Sequence, residues 1–519
     1  MSELPHGWVT ARLPDLVGQQ GVFVDGDWVE SKDQDPHGEV RLVQLADIGD
    51  GRFLNKSNRY LTQVKATELG CTFLEKGDVL IARMPDPLGR ACIFPGDKKR
   101  AVTVVDVCVV RGKGEGFDHA WLMHFVNSAP FRESIHSLQS GSTRKRISRG
   151  NLSTLELPVP PRKEQTRIVE KLEELLSDLD AGVAELKAAQ KKLAQYRQSL
   201  LKAAVEGTLT AEWRQQHPPA ETGAQLLQRI LTQRRARWEA KQLAKLKQQG
   251  KTPPKDWQKK YPEPVQPDTS GLPELPQEWV WASGEQLCEF ITKGTTPPKG
   301  LDAGKAQTIP FLRVTNLTDE GRLDLTDRVY VSEETHTGFL ARSVVYPKDV
   351  LMNIVGPPLG QVSVVPNTFP EWNINQAIAI FRAVDGVMPE FVCAHLLSPI
   401  AQQWLKAKAK TTAGQTNLTL EVCRALPFPF PPQNEHQSLV LHLEETLAVI
   451  SVQAEAIEIA LKQSAAQRQN ILRAAFAGQL VPQDPADEPA SVLLARIRAE
   501  RAERDTLKTP RRSKAKEPA

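Results

Sequence analysis

The sequence has few of the features that mark metal-binding, secreted or membrane proteins. Its 519 residues contain six cysteines, none of them in a C-x-x-C pair, so we predict neither a zinc site nor a disulfide framework. No apolar run is long enough to span a membrane, and Met1–Thr10 lacks the segments of a signal peptide, so we expect no membrane association. The net charge of +4 does not by itself indicate a nucleic-acid binder, although local basic clusters can be hidden in it.

Motifs of the common catalytic centres are absent as well. Gly250-Lys251-Thr252 resembles the end of a P-loop, but position 245 is a lysine where that motif requires glycine. No H-E-x-x-H, G-x-S-x-G or histidine/cysteine cluster occurs. His124 and His395 lie among apolar residues of predicted helices, where we expect them to pack in a core. The sequence therefore predicts no catalytic residue, no metal site and no cofactor bound by this chain.

The sequence does contain an internal repeat with a shift of 271 residues. Asp78-Val79-Leu80 returns as Asp349-Val350-Leu351. Between residues 160–209 and 431–480, 18 of 50 positions are identical without a gap. Composition alone would give about three such matches. The chain is therefore a tandem duplication in which a globular segment and a helical segment alternate twice.

Each globular segment has the pattern of an α+β domain. Short β-branched runs bounded by Gly, Pro or Asp predict strands. We place these strands at 40–45, 78–82, 102–110, 311–314, 349–352, 362–365 and 377–381. Helical patterns follow at 119–127 and 390–397. We expect a mixed fold with a largely antiparallel sheet in both segments.

A proline-rich step ends each globular segment, and a long heptad pattern follows it. Pro160-Pro161 and Pro431-Pro432 are well placed just before a helix. Apolar residues then recur at a and d positions over about four heptads, which is typical of a coiled coil. The predicted seam consists of Val169, Leu172, Leu176, Leu179, Val183, Leu186, Leu193 and Leu200 in the first helix and Val440, Leu443, Leu447, Ile450, Ile457, Leu461 and Ile471 in the second. Because a lone apolar seam needs a partner, we expect the two helices to pair.

Two arginines at heptad position a favour an antiparallel pairing of the two helices. Arg197 and Arg468 lie near the C-terminal ends of the two helices. An antiparallel pair would place Arg197 near the glutamates at 444–445. It would place Arg468 near those at 173–174, whereas a parallel pair would bring the two arginines together. The alternative is that both side chains extend from the seam into solvent. We predict an antiparallel coiled coil with pseudo-twofold symmetry.

Two basic segments lie outside these regions. Residues 229–260 hold 11 Lys and Arg against two acids, and residues 496–519 hold 9 against four. Leu226-Leu227-Gln228-Arg229-Ile230 resembles Leu493-Leu494-Ala495-Arg496-Ile497, so we predict a repeated pair of helices. The prolines after Gly250 indicate a linker and not a domain.

Several short motifs recur at matching places in the two halves. Leu4-Pro5-x-x-Trp8 returns as Leu275-Pro276-x-x-Trp279, and Pro160-Pro161-x-x-Glu164 returns as Pro431-Pro432-x-x-Glu435. The second half also contains Gly294-Thr295-Thr296-Pro297. In this order the motifs resemble the specificity subunits of type I restriction–modification systems, and the resemblance covers nearly the whole chain.

The resemblance implies two target-recognition domains and two spacer helices. The segments would be target-recognition domain 1 (1–161), spacer helix 1 (162–207), a basic helical insert with a proline-rich linker (208–271), target-recognition domain 2 (272–432), spacer helix 2 (433–478) and a basic C-terminal tail (479–519). Each domain would read one half of a split, asymmetric site in double-stranded DNA. The spacers would set the gap between the halves, so inserting four residues into one spacer, about one turn, should lengthen that gap.

The resemblance also implies partners and cofactors. Two modification subunits would dock on the spacers and use S-adenosylmethionine to methylate adenine. Restriction/translocase subunits, where present, would use ATP and Mg²⁺. This chain would bind none of these cofactors, and the complex would work in the prokaryotic cytoplasm. Two alternatives stay open at this point: a coiled-coil scaffold carrying two protein-binding domains without a DNA role, and a stand-alone modifying enzyme.

Base reading needs long polar side chains on loops, because Arg, Lys, Asn and Gln make bidentate pairs with base edges. Candidates lie around Gly141 and Gly414, just before each proline step, and in basic turns. They are Lys98, Lys99, Arg100, Ser142, Thr143, Arg144, Lys145, Arg146 and Arg149 in the first half, and Thr295, Lys299, Lys305, Arg313, Lys406, Lys408, Lys410, Gln415, Thr416 and Asn417 in the second. The alternative is that these turns are solvated surface. We expect more contacts to phosphates than to bases.

Overall fold

The chain divides into two compact units, each of which is described by itself. Unit 1 consists of Met1–Lys187 and Glu458–Ala519, and unit 2 consists of Ala188–Ile457. The computed structural model describes residues 4–18, 21–112, 116–141, 145–412 and 414–507. Each unit combines one globular half with a part of both long helices.

The first half of the chain begins with short strands and helices and ends in a long helix. Its strands are β1 (Val9–Arg12), β2 (Val22–Asp25), β3 (Val40–Val43), β4 (Tyr60–Leu61), β5 (Val79–Ala82), β6 (Ala91–Ile93), β7 (Arg100–Thr103), β8 (Val107–Arg111) and β9 (Glu156–Val159). Its helices are α1 (Leu13–Leu16), α2 (Gln63–Glu68), α3 (His119–Val126), α4 (Ala129–Ser137), α5 (Arg149–Thr154) and the long helix α6 (Arg162–Val205). Before the second half come α7 (Ala211–Gln216) and α8 (Gly223–Gln248).

The second half follows the same plan. Its strands are β10 (Val280–Ser283), β11 (Cys288–Lys293), β12 (Gln307–Leu312), β13 (Val329–Ser332), β14 (Val350–Asn353), β15 (Val355–Gly356), β16 (Val362–Val364), β17 (Asn373–Ile374), β18 (Ile378–Ala383), β19 (Lys410–Thr412), β20 (Gln415–Asn417) and β21 (Pro427–Phe430). Its helices are α9 (Gly284–Leu287), α10 (Glu333–Thr337), α11 (Pro389–Leu397), α12 (Pro399–Lys408), α13 (Leu420–Ala425), the long helix α14 (Gln433–Phe476) and α15 (Ala490–Leu507).

The two globular halves have the same sheet topology. Unit 1 contains sheets in the order β2-β8-β5-β6, β4-β3-β7 and β1-β9. Unit 2 repeats them as β11-β18-β14-β16, β13-β12-β17 and β10-β21, and adds β15-β20-β19. The register repeats too, since Val79 pairs with Val110 and, 271 residues later, Val350 pairs with Phe381. Most pairs are antiparallel, while β3–β7 and β12–β17 are parallel. The predicted α+β repeat is confirmed.

One predicted strand is wrong. The apolar run 102–110 forms two strands, β7 and β8, which belong to different sheets. The chain turns at Val105-Asp106 between them. Aspartate favours turns and is depleted in strands, so a single Asp outweighs the β-branched residues on either side of it.

A buried ion pair joins the same two strands in each unit. Asp78 and Asp349 precede β5 and β14, and they are 1% and 2% exposed. The guanidinium of Arg111 donates to Asp78 at 2.6 Å, and that of Arg382 donates to Asp349 at 2.7 Å. A buried carboxylate is tolerated only with such a partner. The aspartate of the repeated Asp-Val-Leu motif is therefore structural.

The long helices pack against each other in antiparallel orientation within each unit. In unit 1, Leu172 near the start of α6 shares a core with Ile471 near the end of α14. In unit 2, Leu200 near the end of α6 shares a core with Val440 near the start of α14. The predicted antiparallel orientation is confirmed.

The side chains of the predicted seam lie on the protected faces of α6 and α14. Buried are Val169, Leu172, Leu176, Leu200, Val440, Leu443, Ile450 and Ile471. Half-buried are Leu179, Val183, Leu186, Leu193, Leu447, Ile457 and Leu461. Near the ends of α6 and α14, the globular halves also cover the seam residues. Both hydrophobic cores contain side chains of the globular half together with side chains of the two helices. None of the helices in the described ranges is long and apolar enough to cross a membrane.

The two seam arginines do not make the predicted contacts. Arg468 pairs with Asp180 and not with the glutamates at 173–174, because the pairing register of unit 1 brings Asp180 beside it. Arg197 donates to the backbone oxygen of Asp319 at 3.0 Å. No carboxylate of the described residues lies within 4.0 Å of Arg197, so the predicted ion pair with 444–445 is also absent.

Helices α8 and α15 occupy equivalent places in the two units. Leu226 and Ile230 of α8 lie in the core of unit 2. Leu493 and Ile497 of α15 lie in the core of unit 1. Each unit thus gains an additional helix whose first turns are apolar.

Candidate nucleic-acid interface

The candidate residues just before the second proline step lie on one hairpin and on the helix end that precedes it. β19 pairs with β20, with Lys410 opposite Asn417 and Thr411 opposite Thr416. Gly414 lies in the turn with a φ of 79°, a conformation that favours glycine. β20 also pairs with β15, so the hairpin belongs to a separate three-stranded sheet. We call β19, the turn and β20 the unit 2 hairpin.

The side chains on these elements form a basic and amide-rich set. Exposed are Lys406, Lys408, Lys410 and Gln415, and half-buried are Thr416 and Asn417. The ammonium group of Lys408 lies 5.7 Å from the centre of the Trp404 ring, close enough for a cation–π interaction. The structure therefore places these six candidates, which were predicted as one stretch around Gly414, on adjoining elements.

A smaller loop occupies the corresponding place in unit 1. A β-bridge between Ser140 and Arg146 closes it. Lys145 and Arg146 are exposed. The other candidates here, Ser142, Thr143 and Arg144, lie outside the described residues. We call the described residues of this bridged segment, 140, 141, 145 and 146, the unit 1 hairpin.

Arg149 is held by its own domain. It begins α5, and one guanidinium N–H donates to the carbonyl oxygen of Phe23 at 3.1 Å. Its Nε lies 3.8 Å from a carboxylate oxygen of Asp25. Arg149 is therefore partly neutralised, in contrast to the exposed cations of the unit 1 hairpin.

The basic turn Lys98–Arg100 leads into β7 at the edge of the β4-β3-β7 sheet. The ammonium group of Lys99 lies 4.3 Å from the centre of the Tyr60 ring. The guanidinium of Arg100 lies 3.5 Å from the centre of the Phe73 ring. Lys98 is exposed. Aromatic contacts thus fix two of the three cations at the surface without neutralising them.

The remaining four candidates are dispersed over the second domain. Lys299 is exposed in a turn. Intradomain partners occupy the other three, namely Arg342 for Thr295, Glu334 for Lys305 and Asp327 for Arg313. None of the hydrogen bonds among the described residues joins these four side chains to the unit 2 hairpin. An ion pair at such a site lowers the charge available to a phosphate.

Two cations that were not among the candidates precede β4, which contains Tyr60. Lys56 and Arg59 are exposed and make no ion pair among the described residues. Arg59 precedes Tyr60, the residue beneath the Lys99 ammonium group. Sequence patterns gave no signal for this arrangement, because the β4–β3 and β3–β7 pairings assemble it from distant segments.

The buried histidines and thiols of the two domains are packing residues. Burial lowers the pKa of His124 to about 4 and that of His395 to about 3. A ring nitrogen of His395 lies 2.8 Å from the carbonyl oxygen of Pro427. Burial also raises the pKa of the Cys92 thiol to about 12. Within the described ranges, no group of three or more His, Cys, Asp or Glu is arranged to hold a metal ion.

Comparisons with known proteins agree with this arrangement. Residues 32–188 match the family described as type I restriction modification DNA specificity domain. The type I restriction enzyme EcoBI specificity subunit of Escherichia coli is 27% identical over 76% of this chain and 74% of its own length. The EcoKI specificity subunit of Escherichia coli strain K12 is 25% identical over 74% of this chain and 72% of its own length.

A solved structure shows the same fold. A chain from a structural study of the assembly and conformational transition of a type I R-M system superposes with a TM-score of 0.62. It is 18% identical, and the match covers 92% of this chain and 100% of that one. These relatives give no support to a scaffold without a DNA role. The repeated domains, the two long helices and these similarities lead to one conclusion, that the chain is similar to the specificity subunits of type I restriction–modification systems and that residues 32–188 match their DNA specificity domain.

Proposed function

We propose that this chain is the sequence-specific DNA-recognition subunit of a type I restriction–modification complex and that each globular half reads one half of a bipartite, asymmetric target. The observation that carries the proposal is that two domains repeat three sheets in the same strand order and that each has exposed basic or amide side chains just before its proline step. A duplicated reader on one chain fits a target of two parts, since each reader can contact its own segment of duplex.

The asymmetry of the target follows from the different residues on the two hairpins. The unit 1 hairpin presents Lys145 and Arg146. The unit 2 hairpin presents Lys410, Gln415 and Asn417. Arginine and lysine favour guanine and phosphate, whereas glutamine and asparagine favour adenine in the major groove. Two such different sets would not read the same half-site.

The chain acts in recognition, and the chemistry belongs to its partners. DNA and other restriction–modification subunits are its partners. We further propose that two modification subunits bind, because the repeat supplies two equivalent surfaces, and that they carry S-adenosylmethionine. Restriction/translocase subunits, where present, would carry ATP and Mg²⁺. The complex would act where the chromosome lies, in the prokaryotic cytoplasm.

A modified-base map of genomic DNA from host cells with and without the gene tests the function. We expect a split motif carrying methyladenine that appears only when the gene is present. The matched measurement is salt-dependent binding of the purified complex to a duplex that contains this motif. A gene-dependent methyltransferase that copurifies with the chain but leaves no split motif in the map would contradict the proposal.

A further inference from the structure

In unit 1, one carboxylate bridges two arginines where the long helices meet the globular half. Asp180 lies on α6 and Arg468 lies on α14. One carboxylate oxygen of Asp180 accepts a hydrogen bond from Arg52, and the other accepts one from Arg468. A single anion therefore neutralises a seam arginine and an arginine of the turn that the β-bridge between Ile48 and Phe53 closes.

Unit 2 has both arginines but lacks the carboxylate. The shift of 271 residues relates Asp180 to Ser451 and Arg468 to Arg197. Arg322 is the counterpart of the turn arginine of unit 1, because each follows a glycine of positive φ, 75° and 90°, inside an equivalent bridged turn. The hydroxyl of Ser451 carries no charge, so it cannot neutralise two guanidinium groups.

These three residues of unit 2 line one cavity. Its volume is about 590 Å³, and α6, α14, α11 and the turn 319–322 enclose it. Apolar side chains that include Leu193, Leu397 and Leu447 form part of the wall. A water molecule needs only about 30 Å³, and small-molecule sites begin at about 300 Å³. The space therefore admits a small organic molecule or a side chain of another protein.

Arg197 lines this cavity, and only one of its two terminal guanidinium nitrogens has a hydrogen-bond partner among the described residues. One terminal nitrogen donates to the backbone oxygen of Asp319 at 3.0 Å. The other terminal nitrogen is buried and has no hydrogen-bond partner among the described residues. Burial lowers the pKa of the Arg197 guanidinium, the charges of Glu320 and Asp319 oppose this shift, and the positive charge of Arg322 adds to it. A buried donor without an acceptor is costly, so an acceptor from outside the chain would stabilise this arginine, and a carboxylate would do so most strongly.

Carboxylates line the cavity as well, but none of them forms an ion pair with these arginines. They belong to Asp319, Glu320, Glu390 and Glu444. No carboxylate of the described ranges lies within 4.0 Å of either guanidinium. Burial and the charge of Glu390 raise the pKa of Glu444, another carboxyl group of the cavity wall. The mixed charge favours a monovalent carboxylate, or one that also carries a positive group, over a multivalent anion.

We propose that this cavity of unit 2 is a carboxylate-binding site, in which Arg197 and Arg322 hold a carboxylate from outside the chain in the place that Asp180 occupies in unit 1. The carboxylate belongs either to a small amphipathic molecule or to an acidic side chain of a partner subunit. The site contains none of the candidate DNA-reading residues, so it stands apart from the proposed function.

Thermal unfolding of the full chain in sodium acetate, compared with sodium chloride at equal ionic strength, tests the site directly. We expect acetate to raise Tm in a saturable manner, by about 3 °C at a tenfold excess over its dissociation constant. Ser451→Asp supplies the carboxylate internally, so this variant should have a higher Tm without acetate and no further response to it. Asp180→Ser is the matched control, because it opens the same gap in unit 1 and should add a second acetate-dependent stabilisation.

Assembly with the modification subunit distinguishes the two sources of the carboxylate. A saturable acetate effect that Ser451→Asp abolishes identifies a small-molecule site. Absence of an acetate effect, together with at least a tenfold loss of subunit binding in Ser451→Asp, identifies a partner side chain and also supports the proposal. An acetate effect that persists undiminished in Ser451→Asp overturns it. Equal responses to acetate and chloride combined with unchanged subunit binding overturn it too.

Discussion

At the scale of single residues, two buried glutamates at equivalent positions have unequal surroundings. In unit 1, the indole N–H of Trp8 donates to Glu164 at 3.0 Å. In unit 2, Trp279 donates to Glu435 at the same distance of 3.0 Å, and Arg214 donates to this glutamate at 2.6 Å. The second carboxylate oxygen of Glu164 is buried without a hydrogen-bond partner among the described residues. Burial consequently raises the pKa of Glu164.

We predict that Glu164→Gln raises the free energy of unfolding at pH 7 by about 1 kcal/mol, because glutamine keeps an acceptor for Trp8 without burying a charge. The raised folded-state pKa means that the folded chain binds the proton more tightly. The stability that this group contributes is therefore present at acid pH and is lost as the pH rises through the folded pKa. The variant should lack this loss. Denaturant unfolding at acid and neutral pH measures the difference.

Glu435→Gln is the matched control for this prediction. It leaves Arg214 without its charged partner in a partly buried place. We expect it to lower the free energy of unfolding by about 2 kcal/mol. Equal losses of stability in the two variants would contradict the unequal roles assigned to Glu164 and Glu435.

His436 stands where unit 1 has Gln165, and a proline accounts for the difference. Gln165 accepts the backbone N–H of Asp118 at 2.8 Å, whereas the counterpart of Asp118 is Pro389, which has no N–H to donate. An acceptor at this point is therefore not needed in unit 2. Burial lowers the pKa of His436 from 6.5 to about 4.

We predict that His436→Gln makes the chain less sensitive to acid. The folded-state pKa is depressed, so the unfolded chain takes up a proton first as the pH falls below 6.5. The wild type should then lose about 1.4 kcal/mol per pH unit from this group until the folded pKa is reached. The variant should not show this loss between about pH 5 and pH 7 in denaturant unfolding. An acid sensitivity equal to that of the wild type would refute the role assigned to the imidazole.

At the scale of elements, the unit 2 hairpin combines a cation and amides that should act differently. A lysine contacts phosphate as a point charge, whereas a glutamine can form a bidentate pair with a base edge. We predict that Lys410→Ala weakens binding of the complex to all duplexes and lowers the salt slope by about 1. Gln415→Ala should cost about 1–3 kcal/mol on the cognate duplex and relax one position of the motif. Salt titrations and a methylation map of each variant measure these effects.

The unit 1 hairpin provides the matched test of which domain reads which half. We expect Arg146→Ala to relax a position in the half of the motif that Gln415→Ala leaves intact. The two changes should leave the gap between the halves unchanged. If both variants alter the same half of the motif, both domains contact that half and the division of the target between two domains is wrong.

Local sequence patterns were sufficient to predict the long helices, because each residue of a helix interacts mainly with residues close to it in the sequence. The heptads predicted α6 and α14 closely, since a helix and its seam depend on neighbours three and four residues away. The single strand expected at 102–110 failed because the turn at Asp106 assigns its two parts to different sheets. Propensity describes a residue in isolation, whereas the sheet order is decided by pairings between distant segments.

Long-range register also limited what the sequence could predict about the candidate sites. The ion pair between Asp180 and Arg468 depends on the pairing register of α6 and α14, which the heptads left open by about one turn. The position of Arg59 and Tyr60 near Lys99 depends on how β3 pairs with β4 and β7. In both cases the residue types were visible, but their neighbours were not.

At the scale of the whole molecule, both long helices run through the division between the two units. α6 begins in unit 1 and ends in unit 2, and α14 begins in unit 2 and ends in unit 1. Each helix has 44 residues, which corresponds to about 65 Å at a rise of 1.5 Å per residue. Under the proposed function, these helices would set the spacing between the two half-sites, because paired helices resist bending better than a linker does.

This stiffness gives a prediction for a paired insertion. Seven residues added to α6 after Lys187 and seven added to α14 after Ile457 would keep the a and d positions in phase and add about 10 Å to each helix. Since the rise per base pair is about 3.4 Å, we expect the unspecified gap of the target to lengthen by about three base pairs, with both half-sites unchanged. The same seven residues inserted into the linker at 251–271 should leave the gap as it is. A methylation map of the variants decides the matter: an unchanged gap after the paired insertion would mean that the helices do not set the spacing, and altered half-sites would mean that they also orient the readers.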